Sequence, residues 1–244
     1  RGGRRRGGDV TRLGHYIYVE ALAGVAAQAD DPRLGHLVGE LRSPLRVGVL
    51  GRAGTGCSTV TRALRRCGVT VVAAGEARDV EVYVFTETLK PEDVAALSGS
   101  GPPRVAILNK ADLCGFGGAG PLARAASRCR TLQAQSGVPT VPLAALMAAA
   151  DVDDDMVGAL QVLASDPADL GSTDRFVAGP HLLSPAVRER LLAELDLFGT
   201  AHGVLAVRRG ADRAGVTAEL HRASGAEEVL AAIDRAGAAL RYRR

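Results

Sequence analysis

Five short apolar runs rich in β-branched residues occupy the middle of the chain, and helix-like segments separate most of them. The first, Leu45 to Leu50, leads into a glycine-rich turn and a helical pattern from Thr59 to Arg66. The second and third are Val69 to Ala73 and Val80 to Thr86, followed by a helix from Pro91 to Leu97. The fourth, Arg104 to Leu108, precedes a helix from Leu122 to Ser136 that stops at Gly137, and Val138 to Leu143 is the fifth. Short strands alternating with helices predict a mostly parallel sheet covered on both faces, an α/β architecture of three layers.

Helices are expected on both flanks. Residues 1–8 are an Arg/Gly run without an apolar side chain and read as a disordered tail. Between 9 and 42, Leu13, Ile17, Ala21 and Val25 recur at helical spacing. Asp30-Asp31-Pro32 then opens a second helix, which Ser43-Pro44 ends. The α/β domain is expected over 43–165 and a helical region over 166–244. Asp151, Asp153, Asp154 and Asp155 lead into Met156 to Ala164, where acids favour a helix N-terminus over a metal cluster. Ser184-Pro185 opens a helix expected to stop at Gly199, and Ser224-x-x-Glu227 reads as a capping box before the last helix.

Composition excludes several classes. With 244 residues, 47% hydrophobic and 23% charged, the chain has the balance of a globular protein. A net charge of +3 does not suggest a nucleic-acid partner. Cys57, Cys67, Cys114 and Cys129 show no metal-ligand spacing and read as reduced thiols. No apolar run reaches the roughly 18 residues of a spanning helix, so a cytoplasmic location is expected, with peripheral membrane contact left open. The first residue is Arg rather than Met, which leaves a preceding segment open. The five histidines are dispersed. Only Lys90 and Lys110 among 30 basic residues are lysine, an Arg-rich, Ala-rich bias typical of GC-rich bacterial genomes.

The glycine-rich turn reads GRAGTGCST over 51–59. It fits G-x-x-x-x-G-K-[ST] at Gly51, Gly56 and Ser58, with Gly54 inside and Thr59 after. Glycines let successive N–H groups face phosphate oxygens, and the helix N-terminus adds partial positive charge. Ser58 stands where the motif places a Mg²⁺ ligand. Cys57 replaces the lysine that neutralises the β- and γ-phosphates. That substitution removes a charge-assisted contact worth about 1.5–3 kcal/mol of binding, and the loss to transition-state stabilisation should be larger. Arg52, Arg62 and Arg65 are the cations nearest in sequence that could substitute.

Asn109-Lys110-Ala111-Asp112 follows the fourth strand directly. This N-K-x-D resembles the guanine-recognition motif of Ras-like and translation-factor GTPases. An Asp112 carboxylate can accept the N1–H and N2–H edge of guanine, a donor pair that adenine lacks. The resemblance implies that Lys110 packs along the base and that Asn109 ties its loop to the phosphate loop. After the fifth strand, Ala144-Ala145-Leu146 resembles the S-A-[KL] loop, whose backbone N–H meets the guanine oxygen in those proteins.

The GTPase switch elements have no counterpart in the short interval from Ser58 to Asn109. Val72 stands where D-x-x-G, ending at Gly75, would have its Asp. Asp79 is poorly placed to replace it, and no Gln or His is positioned to orient a water. The helical flanks and the stretch EVYVFTETLKPEDVAAL resemble, more loosely, bacterial dynamin-like GTPases, and the likeness spans Asp30 to Leu146.

The resulting expectation is a P-loop NTPase-like α/β fold with flanking N- and C-terminal helices. It would bind GTP or GDP weakly or statically through Gly51, Gly54, Gly56, Cys57, Ser58, Thr59, Asn109, Lys110, Asp112 and Ala145. Mg²⁺ at Ser58 is the weaker expectation, and no catalytic residue is assigned. Action would run through a protein partner, as a homodimer or a heterodimer with a related GTPase. The alternatives are a nucleotide-free scaffold or regulatory subunit, and an active GTPase completed by a partner.

Overall fold

The computed structural model describes residues 43–115 and 120–241, together with scattered helical positions between 21 and 39. The Arg/Gly tail and most of the region from 9 to 42 lie outside the described residues.

Five strands form one parallel sheet in the order β2-β1-β3-β4-β5. They are β1 (Arg46–Gly51), β2 (Thr70–Val72), β3 (Val80–Phe85), β4 (Arg104–Asn109) and β5 (Thr140–Leu143). Every residue of β3 is buried, and so are five of the six in β4. Continuous burial is what a strand covered on both faces requires. Glu81 is the polar exception in β3. Its carboxylate accepts from Arg78 Nε at 2.8 Å and Arg104 Nε at 2.6 Å. Those two guanidiniums hold it below its ordinary pKa despite burial, which pushes the other way. β5 lies at an edge, where Pro142 is tolerated.

Four helices supply the outer layers. One face carries α1 (Cys57–Arg66) and the other carries α2 (Pro91–Ser98) and α3 (Pro121–Ser136). Proline opens α2 and α3, and Gly137 closes α3 in the left-handed region at φ 69. The last helix, α9 (Ala226–Arg241), returns to lie beside α1. Its Val229, Ala232 and Ile233 join Val82, Val105 and Ile107 in one core. The region over 166–244 is built of helices, and the last of them packs on the sheet.

Between β5 and α9 stand α4 (Ala145–Ala148), α5 (Asp154–Ser165), α6 (Thr173–Ala178), α7 (Pro185–Arg208) and α8 (Arg213–Ala223). They share a second core around Met147, Leu160, Leu191 and Leu220. Asp153 caps α5 by accepting from Met156 N at 2.8 Å. Ser184 caps α7. Two expectations are corrected here. α7 does not stop at Gly199 but continues to Arg208. Gly199 instead lets Met147 approach, since a Cβ there would lie 3.0 Å from that side chain. Ser224 is the C-cap of α8 rather than the start of α9, and its Oγ accepts from Ala226 N at 3.2 Å. Among the described residues, no helix is long and apolar enough to cross a membrane, and all four cysteines are free.

Candidate functional site

β1 and α1 are joined by a tight loop over 52–56. Gly54 and Gly56 sit in the left-handed region at φ 84 and φ 88, which only glycine occupies without strain. A Cβ on Gly56 would collide with the Asn109 amide, and one on Gly51 would press on Cys57 Sγ at 2.8 Å. Buried Thr55 closes the loop on itself, its Oγ1 donating to Arg52 O at 2.8 Å. Ser58 is exposed in the first turn of α1, and Thr59 is half-buried beside it.

Asn109 is the hub. It is buried at the end of β4, and its Nδ2 donates to Thr55 O at 2.9 Å. Its Oδ1 accepts from Ala145 N at 3.3 Å. One side chain thus fastens the β1–α1 loop, the loop after β4 and the start of α4 to one another. Ala144 N also donates to Ser224 O at 2.9 Å, which joins the α8–α9 turn to the same corner.

Lys110 follows in the left-handed region at φ 56, ψ 41, and is exposed. A non-glycine residue held there costs free energy, and such positions cluster at functional sites. Asp112 lies in the 3-10 turn Ala111–Leu113. Its carboxyl is raised above the ordinary range, first by burial and also by the nearby Asp196 charge. A desolvated carboxylate at this place gains from N–H donors.

The loop over 52–56 is built differently. Cys57 turns inward, with Sγ 3.5 Å from Thr55 Oγ1, and packs against the core beneath the sheet. Arg52 does not stand in for the missing lysine. Its Nε and Nη2 grip both oxygens of Asp93 at 2.7 and 3.1 Å. Asp93 is fully buried and also accepts from Tyr83 OH at 2.8 Å and Lys90 N at 2.7 Å. Burial and the bond to Asp93 push Tyr83 up to about 12. Arg52 is thereby a strut between the loop and α2, since releasing it would strand a buried charge. Arg65 donates to Val71 O at 3.4 Å, and Arg62 is exposed on α1.

The segment after β2 supplies no acid to the loop. Val72 ends β2, and Ala73, Ala74 and Gly75 are exposed. Glu76 pairs with Arg46 at 3.1 Å, and Asp79 accepts from Arg46 N at 2.8 Å. Arg46 begins β1, five residues before Gly51 and so about 17 Å from the loop at a rise of about 3.3 Å per residue. Mg²⁺ demands octahedral oxygen ligation, and these acids face the wrong end of the sheet. No group of three or more metal-ligating side chains exists among the described residues. The residues present do not fit a protein-held Mg²⁺.

The structure brings Gly51, Gly54, Gly56, Asn109, Lys110, Asp112 and Ala145 into one corner. Two more of the expected residues have partners within the chain. The Ala145 N–H donates to Asn109 Oδ1 at 3.3 Å, and its side chain is buried in α4. The Cys57 side chain packs, half-buried, against the core. Sequence reasoning missed Asp93, whose signal was its place three residues after Lys90 at a Pro-opened helix. It also missed Asp196, which no local pattern marks.

No protein family profile matches the chain, and no curated protein matches it. Solved structures do match. A crystal structure of a mutation variant of SsGBP aligns over 53% of this chain and 58% of its own, at 14% identity and a TM-score of 0.30. The crystal structure of a GTP-binding protein from the hyperthermophilic archaeon Sulfolobus solfataricus, in complex with GDP, aligns over 56% of this chain and 58% of its own. The identity is 13% and the TM-score 0.28. The aligned part thus spans little more than half of each of those chains.

Proposed function

We propose that the chain is a GTPase-like protein that holds guanine nucleotide statically and acts through a protein partner. The observation that carries this reading is the Asn109 hub. A side chain that bonds Thr55 O and Ala145 N serves no strand or helix of its own. It fixes the phosphate-type loop against the loop bearing Lys110 and Asp112, which is the relation a nucleotide spanning both would need. Asp112 would hold the guanine edge, Lys110 would lie along the base, and the N–H groups over 54–58 would meet phosphate. Cys57 and the commitment of Arg52 to Asp93 leave phosphate binding to backbone dipoles, so hydrolysis is expected to be very slow. The partner would be a second copy or a related GTPase, read from the family resemblance.

The test is nucleotide analysis of protein purified without added ligand, followed by calorimetric titration with GTP, GDP and ATP. Bound GDP, or heat with guanine nucleotides alone, supports the proposal. No heat with GTP or GDP at millimolar concentration contradicts it. A second reading, a nucleotide-free scaffold, is favoured by the inward Cys57. It would show as a tight protein partner with no nucleotide in the purified complex.

A further inference from the structure

α1 ends against α8. Cys67 is the C-cap of α1, and its Sγ lies 3.2 Å from Nε2 of His221 in α8. The two residues are 154 apart in sequence, so the fold alone brings them together. Both are half-buried. An open cavity of about 780 Å³ lies beside the pair, between α1, α4, α8 and α9. His221 and Arg66 form part of its wall, and Asp212, Arg213 and Glu227 are its other charged groups. Among the described residues, no other cysteine has a base at hydrogen-bond distance. Cys57 faces the Thr55 hydroxyl. Burial pushes Cys129 up to about 12. Cys114 is half-buried near the charges of Arg128, Asp112 and Arg124 without bonding any of them.

Burial pushes the Cys67 thiol above its ordinary range, against the pull of Arg66. The proton therefore rests on sulfur at neutral pH, and the thiol donates to Nε2. A neutral imidazole that accepts at Nε2 carries its own proton on Nδ1 and stands ready as a base. A nucleophile within hydrogen-bond reach of a base is the arrangement that activates a thiol. We propose that Cys67 is a modification site, where a small-molecule disulfide exchanges with the thiol while His221 takes the proton. Sγ attacks one sulfur of the disulfide, the S–S bond breaks, and a mixed disulfide forms at Cys67. The thiol proton passes to His221 Nε2 and then to the departing thiolate, which leaves as a thiol. One disulfide is consumed and one is formed, so no further oxidant enters. The cavity gives both halves of the incoming disulfide room beside His221. Guanine binding plays no part in this step.

The test incubates the full chain with glutathione disulfide across a range of pH, stops the exchange with acid and maps the cysteine peptides by mass spectrometry. This gives a rate for each thiol. At about pH 7.5, Cys67 should form its mixed disulfide about tenfold or more faster than Cys57 or Cys114, since a positioned base contributes about a hundredfold or more. Its rate should level off near about pH 8, where an imidazole base is already deprotonated. An unaided thiol raised by burial would keep gaining beyond about pH 9. His221→Gln should lower the rate about tenfold or more at about pH 7.5 and turn the level profile into a rising one. Circular dichroism reports whether the variant is folded. Excess reduced glutathione should return the free thiol. Wild-type Cys67 that reacts no faster than Cys57, or whose rate still climbs at about pH 9, overturns the proposal without recourse to the variant. An unchanged rate in folded His221→Gln overturns it as well.

Discussion

The proposed base corner and the proposed phosphate corner share one loop but follow different rules. At the proposed base corner, a buried side chain joins three segments, and Lys110 sits in a backbone conformation that costs free energy. At the proposed phosphate corner, Cys57 packs half-buried against the core and Arg52 is held by Asp93. One corner keeps polar groups in expensive positions, and the other has turned its polar groups into packing. The lesson is that loop geometry and loop chemistry are separable. On the proposed reading, the glycines and Asn109 give the loop its shape while phosphate is met by backbone N–H groups alone.

Four substitutions or titrations press on that difference. The largest effect is expected from Asp112→Ala. Losing two bonds to a charged acceptor, each about 1.5–3 kcal/mol, should lower GDP affinity by roughly a hundredfold or more. Calorimetry measures this, with thermal unfolding as the control for folding. Next is Asn109→Ala, which leaves Thr55 O and Ala145 N without their partner. Each orphaned buried group costs about 1–3 kcal/mol, so urea unfolding should show a loss of about 2 kcal/mol or more, with GDP affinity falling as well.

Cys57→Lys sharpens the comparison from the other side. Restoring one charge-assisted phosphate contact should raise GDP affinity about ten- to a hundredfold. It should leave guanosine affinity unchanged, because the nucleoside has no phosphate to meet the lysine. An equal gain for guanosine would place Cys57 at the base instead.

The smallest effect is a pH signature. The Asp112 carboxyl is raised from its ordinary 3.8, so the folded state binds more protons between 3.8 and the raised value. The ionised group therefore destabilises the ligand-free protein at neutral pH, and the penalty fades as pH falls through the raised value toward 3.8. Asp112→Asn should be slightly more stable than wild type at pH 7, and the difference should shrink on acidification. Asp93 has the opposite sign. Its carboxyl is lowered by Arg52, Lys90 N and Tyr83 against the pull of burial. Its stabilisation is present above 3.8 and is lost as pH falls through the lowered value. Denaturant midpoints across pH 2.5–7, for wild type and each Asn variant, separate the two residues.

Much of this arrangement was legible because its signals are local. Strand-sized β-branched runs, Pro at helix starts and Gly at Gly137 place the sheet and the helices of the α/β layer. The two loop motifs were legible for the same reason, since each lies within a few residues of a strand end. What the sequence could not convey is long-range. The return of α9 onto the sheet depends on Val229 and Ile233 meeting Val82 and Ile107, and an amphipathic helix does not say which surface it covers. Arg52 looked like a spare cation because Asp93 is remote in sequence. Asp196 looked like an ordinary helix residue, because nothing around it in LLAELDLFG announces the break that its φ of 59 makes in α7.

The most direct measurement is calorimetric titration of the purified wild-type chain with GDP, guanosine and ADP. Base recognition without a phosphate-binding cation means that guanosine itself binds measurably, and that GDP gains over it only what the backbone N–H groups over 54–58 add at the phosphates, about ten- to a hundredfold. It also means that ADP gives no heat and that added Mg²⁺ changes nothing. Equal binding of GDP and ADP, with guanosine failing to bind, would contradict the account by placing recognition at the phosphate loop.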